Sequence, residues 1–91
     1  MISGSQIRAA RALLGIKATE LSERAHVDWS TVQRFERVEG IPKSRSGTLQ
    51  RIKETLEAAG VTFVGDPETS PGVQLQRSSP TLSRRTVNNP G

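Results

Sequence analysis

Four breaks in helical pattern constrain this chain more than any other feature. Gly15, His26, Gly40 and Gly60 cut the residues before 61 into four stretches, each with helical spacing of its apolar positions. The first opens with Ser3 and places Gln6 three positions later, the spacing of a capping box. Ile7, Ala10 and Leu14 then share one face, and Gly15 is a natural residue to end the helix in a left-handed conformation. The second stretch runs from about Ala18 to Ala25, with Leu21 and Ala25 inward and the small Ser22 between them. The third is announced by Asp28 as an N-cap, turns Val32 and Phe35 to the core and ends near Val38. The fourth spans roughly Thr48 to Ala59, with Leu49, Ile52, Leu56 and Ala59 on one stripe before Gly60. Short connections between short helices imply a compact, mainly α-helical domain.

After Gly60 the period changes. Val61-Thr62-Phe63-Val64 is β-prone, and Gly72 to Gln76 alternates apolar with polar residues. A lone two-stranded hairpin is marginal in water, so these strands want a partner. A second copy of the chain is the expected one, with Val61, Phe63, Val73 and Leu75 at a dimer interface; the other reading is a loose extension. From Arg77 onward the chain is poor in apolar residues and rich in proline and hydroxyl side chains, which predicts disorder. The expected division is a helical domain over 1–64, a strand extension over 61–76 and a basic tail over 77–91.

Charge sharpens this division. Thirteen Lys and Arg against nine Asp and Glu give +4 over 91 residues, but residues 1–68 are nearly balanced, and Arg77, Arg84 and Arg85 carry the tail with no acid beside them. Net charge alone is therefore weak support for a polyanionic partner. Cysteine and tyrosine are absent and His26 is the only histidine. That inventory excludes disulfides and thiolate metal sites and removes most acid–base chemistry, so neither an enzyme nor a cofactor or metal is expected. There is no apolar run of membrane-spanning length and no leader pattern after Met1, so the expected location is the cytoplasm.

Residues 18–37 have the layout of a helix-turn-helix. Two short helices that cross steeply need a small side chain where they touch, here Ser22, and a turn residue tolerant of positive φ, here His26. Leu21, Val32 and Phe35 pin the second helix to the first, which leaves the start of that second helix outward and free to enter a major groove.

The run from Ile2 to Arg11, Leu14-Gly15, Glu20 to Ala25, Val27, Ser30-Thr31-Val32 and Arg34-Phe35-Glu36-Arg37 resembles the Xre/Cro-type helix-turn-helix family. Ile41-Pro42, Thr48 to Ile52 and Leu56 to Val61 extend the resemblance over roughly residues 2–64. It implies a four- to five-helix, lambda-repressor-like domain that regulates transcription as a homodimer on an inverted-repeat operator. By position in the motif, Trp29, Ser30, Gln33 and Arg34 face base edges. Arg34 suits a guanine or a phosphate, Gln33 an adenine or water, Ser30 permits close approach, and Trp29 suits DNA or a protein partner. Lys17, Thr31, Arg37, Lys43 and Arg45 are the candidate phosphate contacts, the other reading of each being a solvated surface side chain.

Three positions depart from the family pattern. Lys17-Ala18 replaces the usual Ser-Gln, so the cap of the second helix is missing. His26 replaces Gly in the turn, and Trp29 stands where a polar reader is common. Glu36 is expected to pair with Arg11 or Arg8. A rival reading makes the chain an antitoxin or adaptor, with the basic tail folding onto a small protein partner. RNA polymerase is a further possible partner, through Glu20 and Glu23.

Overall fold

A computed structural model describes residues 1–45 and 47–76. The tail expected to be disordered, 77–91, lies outside the described residues. Four helices appear where the spacing requires them: α1 (Gly4–Leu14), α2 (Ala18–Ala25), α3 (Trp29–Arg37) and α4 (Thr48–Ala58). A two-stranded antiparallel sheet follows, β1 (Val61–Val64) with β2 (Gly72–Leu75).

The ends of the helices explain their lengths. The Ser3 hydroxyl accepts the Gln6 N–H at 3.1 Å while the Gln6 side-chain oxygen accepts the Ser3 N–H at 2.9 Å, a complete capping box. Ile2 and Ile7, on either side of that box, are both fully buried and occupy the positions of a hydrophobic staple. Gly15 ends α1 at φ 70, donating its N–H to the carbonyls of Arg11 and Ala12. α2 begins at Lys17 with no side-chain cap, as its sequence implies, and ends at His26, whose φ of 57 makes it the one non-glycine residue of positive φ among the described residues. Asp28 does stand at the N-cap of α3, but its side chain makes no capping hydrogen bond. Its backbone carbonyl instead accepts the N–H groups of Thr31 and Val32. The start of α4 is held from outside the helix, by the Ser44 hydroxyl accepting the Leu49 N–H at 3.0 Å.

The core collects the apolar faces of all four helices. Ile7, Ala10, Leu21, Ala25, Val32, Phe35, Leu49, Ile52 and Leu56 are buried as periodicity requires, and Ile2 and Val61 join them. Leu14 and Ala59, at the ends of their stripes, are only half-buried. Burying such side chains is worth about 1.5–3 kcal/mol each, the main force holding short helices that would not persist alone.

The strands pair with each other inside one chain, Val61 opposite Leu75 and Phe63 opposite Val73. β2 then lies on α1, and β1 lies against α4. The Gln6 amide donates to the carbonyls of Val64 at 3.3 Å and Gly72 at 3.0 Å, one from each strand. The hairpin is thus supported by its own domain and is not a loose extension. In the loop between the strands the Asp66 carboxylate accepts the N–H groups of Glu68 and Thr69, and those bonds hold its pKa below the ordinary aspartate value.

α1 meets α3 through backbone as well as side chains. Gly4 has no side chain because a methyl there would run into the carbonyl oxygens of Phe35 and Val38. Its N–H donates to the Gly40 carbonyl at 2.9 Å. Among the described residues no helix is long and apolar enough to cross a membrane.

Candidate functional site

The turn at His26 and the burial of Val32, Phe35 and Glu36 fix which way α3 faces. With about 100° between successive helical residues, the ridge opposite those three consists of Ser30, Arg34 and Arg37, all exposed. Trp29 and Gln33 flank the ridge on one side and Thr31 on the other. Trp29 is 47% exposed, so it is not a core residue.

Glu36 is the unusual member of the inner face. It is only 8% exposed, and the Arg11 guanidinium grips its carboxylate with two parallel bonds of 2.7 and 2.8 Å. The same guanidinium donates to the Ile16 carbonyl, and Arg8 donates to the Glu36 backbone carbonyl. The hydrogen bond to Glu36 raises the Arg11 pKa above its ordinary value, so this cation is permanent. Both candidate arginines therefore meet Glu36, one at the side chain and one at the backbone. The contact is a partly buried fork rather than an exposed pair.

Between α3, the loop 43–45 and the start of α4 lies an open cleft of about 520 Å³. Arg34, Lys43, Arg45 and Arg51 line it, with the Thr31, Ser44 and Thr48 hydroxyls beside them. Among the described residues Asp28 is the only carboxylate in its lining, and His26 lies at its wall. The Arg34 guanidinium carbon stands 5.2 Å from the centre of the Phe35 ring, a cation–π contact that fixes the charge near the cleft. The amino-terminal end of α4 adds a partial positive charge, since Thr48 opens that helix and lines the cleft.

The ion pairs separate two kinds of cation. Arg11, Arg24 and Lys53 are paired with Glu36, Glu20 and Glu57, and Arg8 is held by a backbone carbonyl. Lys17, Arg34, Arg37, Lys43, Arg45 and Arg51 form no salt bridge among the described residues. The unpaired set contains every Lys and Arg that the sequence marks for phosphate or base contact, and adds Arg51.

The cleft joins Thr31, Arg34, Lys43 and Arg45 from that expected set. It does not include Lys17, which is exposed at the start of α2, nor Trp29, Ser30, Gln33 and Arg37 on the rest of α3. Arg51, Thr48 and His26 are additions. Arg51 adjoins Ile52 on α4 and points away from the Leu49–Ile52–Leu56 stripe, so helical spacing marks it as exposed but not as a neighbour of Arg34.

At the strands, Val61 is closed inside its own core at 2% exposure and has no surface to give a second chain. Phe63, Val73 and Leu75 are half-buried against that same core. Among the described residues no group of His, Cys, Asp and Glu could hold a metal ion. No protein-family model matches this chain, and no curated protein matches it.

Proposed function

We propose that this chain is a helix-turn-helix DNA-binding domain. It acts as a cytoplasmic transcriptional regulator that binds an inverted-repeat operator as a homodimer. In this reading α2 and α3 form the motif, α3 enters the major groove, and Ser30, Gln33, Arg34 and Trp29 meet base edges. Lys17, Thr31, Arg37, Lys43 and Arg45 hold phosphates, and Arg51 joins them.

One observation carries the proposal: among the described residues Arg34, Arg37, Lys43, Arg45 and Arg51, on α3 and around the cleft beside it, have no carboxylate partner, while Arg11, Arg24 and Lys53 are neutralised within the chain. A surface kept unpaired in this way suits a polyanion. The Arg11–Glu36 fork supports it further, because an arginine or glutamine reads a base only from a helix held in a fixed orientation.

The test is a titration of duplex fragments flanking the protein's own gene at about 150 mM salt, followed by footprinting. A protected pair of half-sites about 10 base pairs apart is expected. Arg34→Ala should lower affinity for that site by about 1–3 kcal/mol and relax the preference at one base pair. Lys43→Ala should weaken all duplexes alike and flatten the salt dependence. Weak, even binding to every fragment would refute sequence-specific recognition.

The exposed Trp29 favours a second reading, an antitoxin or adaptor whose α3 start meets a protein. Co-purification of a small partner lost in Trp29→Ala would select it.

A further inference from the structure

A second concavity of about 380 Å³ adjoins the cationic cleft and shares Arg34, Phe35 and Lys43 with it. Val38, Ile41 and Pro42 complete its lining. Its chemistry differs from that of the cleft: four apolar residues and two cations line it, and among the described residues neither a carboxylate nor a hydroxyl does. Val38 is 38% exposed at the end of α3, so this apolar surface is open in the isolated chain.

We infer that this groove receives a segment of a partner protein that carries apolar side chains between carboxylates. A duplex would satisfy Arg34 and Lys43 with its phosphates but offers the floor at Val38 and Ile41 only sugar edges and thymine methyls, not a side chain long enough to fill a concavity. A polypeptide supplies both groups at once, apolar side chains for the floor and carboxylates for the two cations. The chain's own residues 77–91 are the wrong occupant, since they carry Arg77, Arg84 and Arg85 and no Asp or Glu. Because Arg34 and Lys43 line both concavities, the partner segment and a nucleic acid exclude each other. That exclusion rests on the DNA-binding reading; occupancy of the groove does not.

The probe is a short dye-labelled peptide with Leu-Phe between two pairs of acidic residues, titrated with the full chain and followed by fluorescence anisotropy. Saturable binding is expected at about 150 mM salt. A peptide of equal charge with Ser-Ser at its centre should bind at least about tenfold more weakly, because the apolar floor is then unused. Val38→Glu, a change at an exposed position, should lower affinity by about tenfold or more at an unaltered melting temperature, while Val38→Leu should retain it. Lys43→Glu, also exposed, should weaken the peptide in the same way. Equal binding of the two peptides, or binding indifferent to Val38→Glu, would overturn the inference, as would no saturable binding.

In the competition arm, the peptide should displace a labelled duplex from the chain. Peptide binding without displacement would overturn the exclusion. A chain that binds no duplex at all refutes the DNA reading, and the direct peptide titration then decides the groove by itself.

Discussion

Removing the Arg11 guanidinium while keeping Glu36 should destabilise the domain more than the reverse change. The Glu36 side chain is 9% exposed and that of Arg11 25%, so the carboxylate is the deeper partner. Arg11→Met keeps most of the aliphatic volume and leaves that carboxylate without a cation. Orphaning a fully buried charge costs about 3–5 kcal/mol, and the water that reaches Arg11 reduces this to about 2–3 kcal/mol. Glu36→Gln leaves a guanidinium that can turn toward solvent and still donate to the Ile16 carbonyl, at a cost of about 1 kcal/mol. The double change Arg11→Met with Glu36→Leu removes both charges and should lie within about 1 kcal/mol of the wild type. Urea unfolding reads all four proteins, with midpoints that move at a constant slope. A few kcal/mol is a large share of the stability of a domain this small, so the ranking will be clear. Equal losses in the two single variants would refute the asymmetry, and a double variant whose loss is the sum of theirs would show that the fork is not coupled.

His26→Gly should stabilise the fold by about 0.5–1 kcal/mol, because glycine adopts the φ of 57 without strain, whereas His26→Val should lower the melting temperature. An unchanged melting temperature in both would contradict the strain argument. Gln6→Leu should cost about 2–3 kcal/mol and Ser3→Ala about 1 kcal/mol, since only Gln6 also holds the hairpin carbonyls. Hydrogen exchange should show protection lost in β1 and β2 for Gln6→Leu alone; equal loss in Ser3→Ala would contradict this. The Asp66 carboxyl titrates below its ordinary value of 3.8 because it accepts the Glu68 and Thr69 N–H groups. A depressed folded pKa gives stability that is present above the ordinary value and lost as pH falls through the lowered one. The unfolding midpoint of Asp66→Asn should therefore approach that of the wild type as pH drops below about 4. A gap between the two that stays constant from pH 6 down to about pH 2 would count against it.

What was legible in the sequence was local. The capping pair Ser3 and Gln6, the left-handed positions Gly15 and His26, and the helical stripes all depend on residues within a few positions of one another. The stripes are diagnostic because a buried helix face repeats every three to four residues whatever it packs against. Long-range partners escape such patterns. Gln6 is fully explained by its cap, so nothing marks its second role at Val64 and Gly72, more than fifty positions away. Read from sequence alone the hairpin therefore needs a second chain, because the support it has from Gln6 of α1 leaves no local pattern. The candidate site divides in the same way. Arg34 could be selected by its position in the proposed motif, and Lys43 and Arg45 as the two basic residues of one short loop, but nothing in the sequence selects Arg51. The partners of Arg24 and Lys53 lie one helical turn away, at Glu20 and Glu57, and spacing alone marks them; that no carboxylate among the described residues pairs with Arg34 or Arg51 only the fold shows.

The cleft's geometry depends on contacts well away from it. The segment leading from α3 to Lys43 is tied at Glu39, whose carbonyl accepts the Ser5 hydroxyl at 3.1 Å, and at Gly40, whose carbonyl accepts the Gly4 N–H. The Ile41 N–H approaches the Glu68 carboxylate at 3.5 Å, and Pro42 is buried. Within the loop, the Ser44 hydroxyl accepts the Leu49 N–H and ties the loop to the first turn of α4. Lys43 and Arg45 are therefore flexible side chains on a fixed backbone, with α1 and the hairpin turn supplying part of the anchorage. Charges on such a backbone lose less freedom when a ligand orders them than charges on a free loop would, and they can set its register as well as attract it. Arg11 and Glu36 do the same for α3 from the side facing away from the cleft. It follows that substitutions in α1 or at Glu68, none of which touch the cleft, should alter how selectively a ligand is held before they alter how strongly it is attracted. The number of unpaired cations would be unchanged, and only their arrangement would be lost.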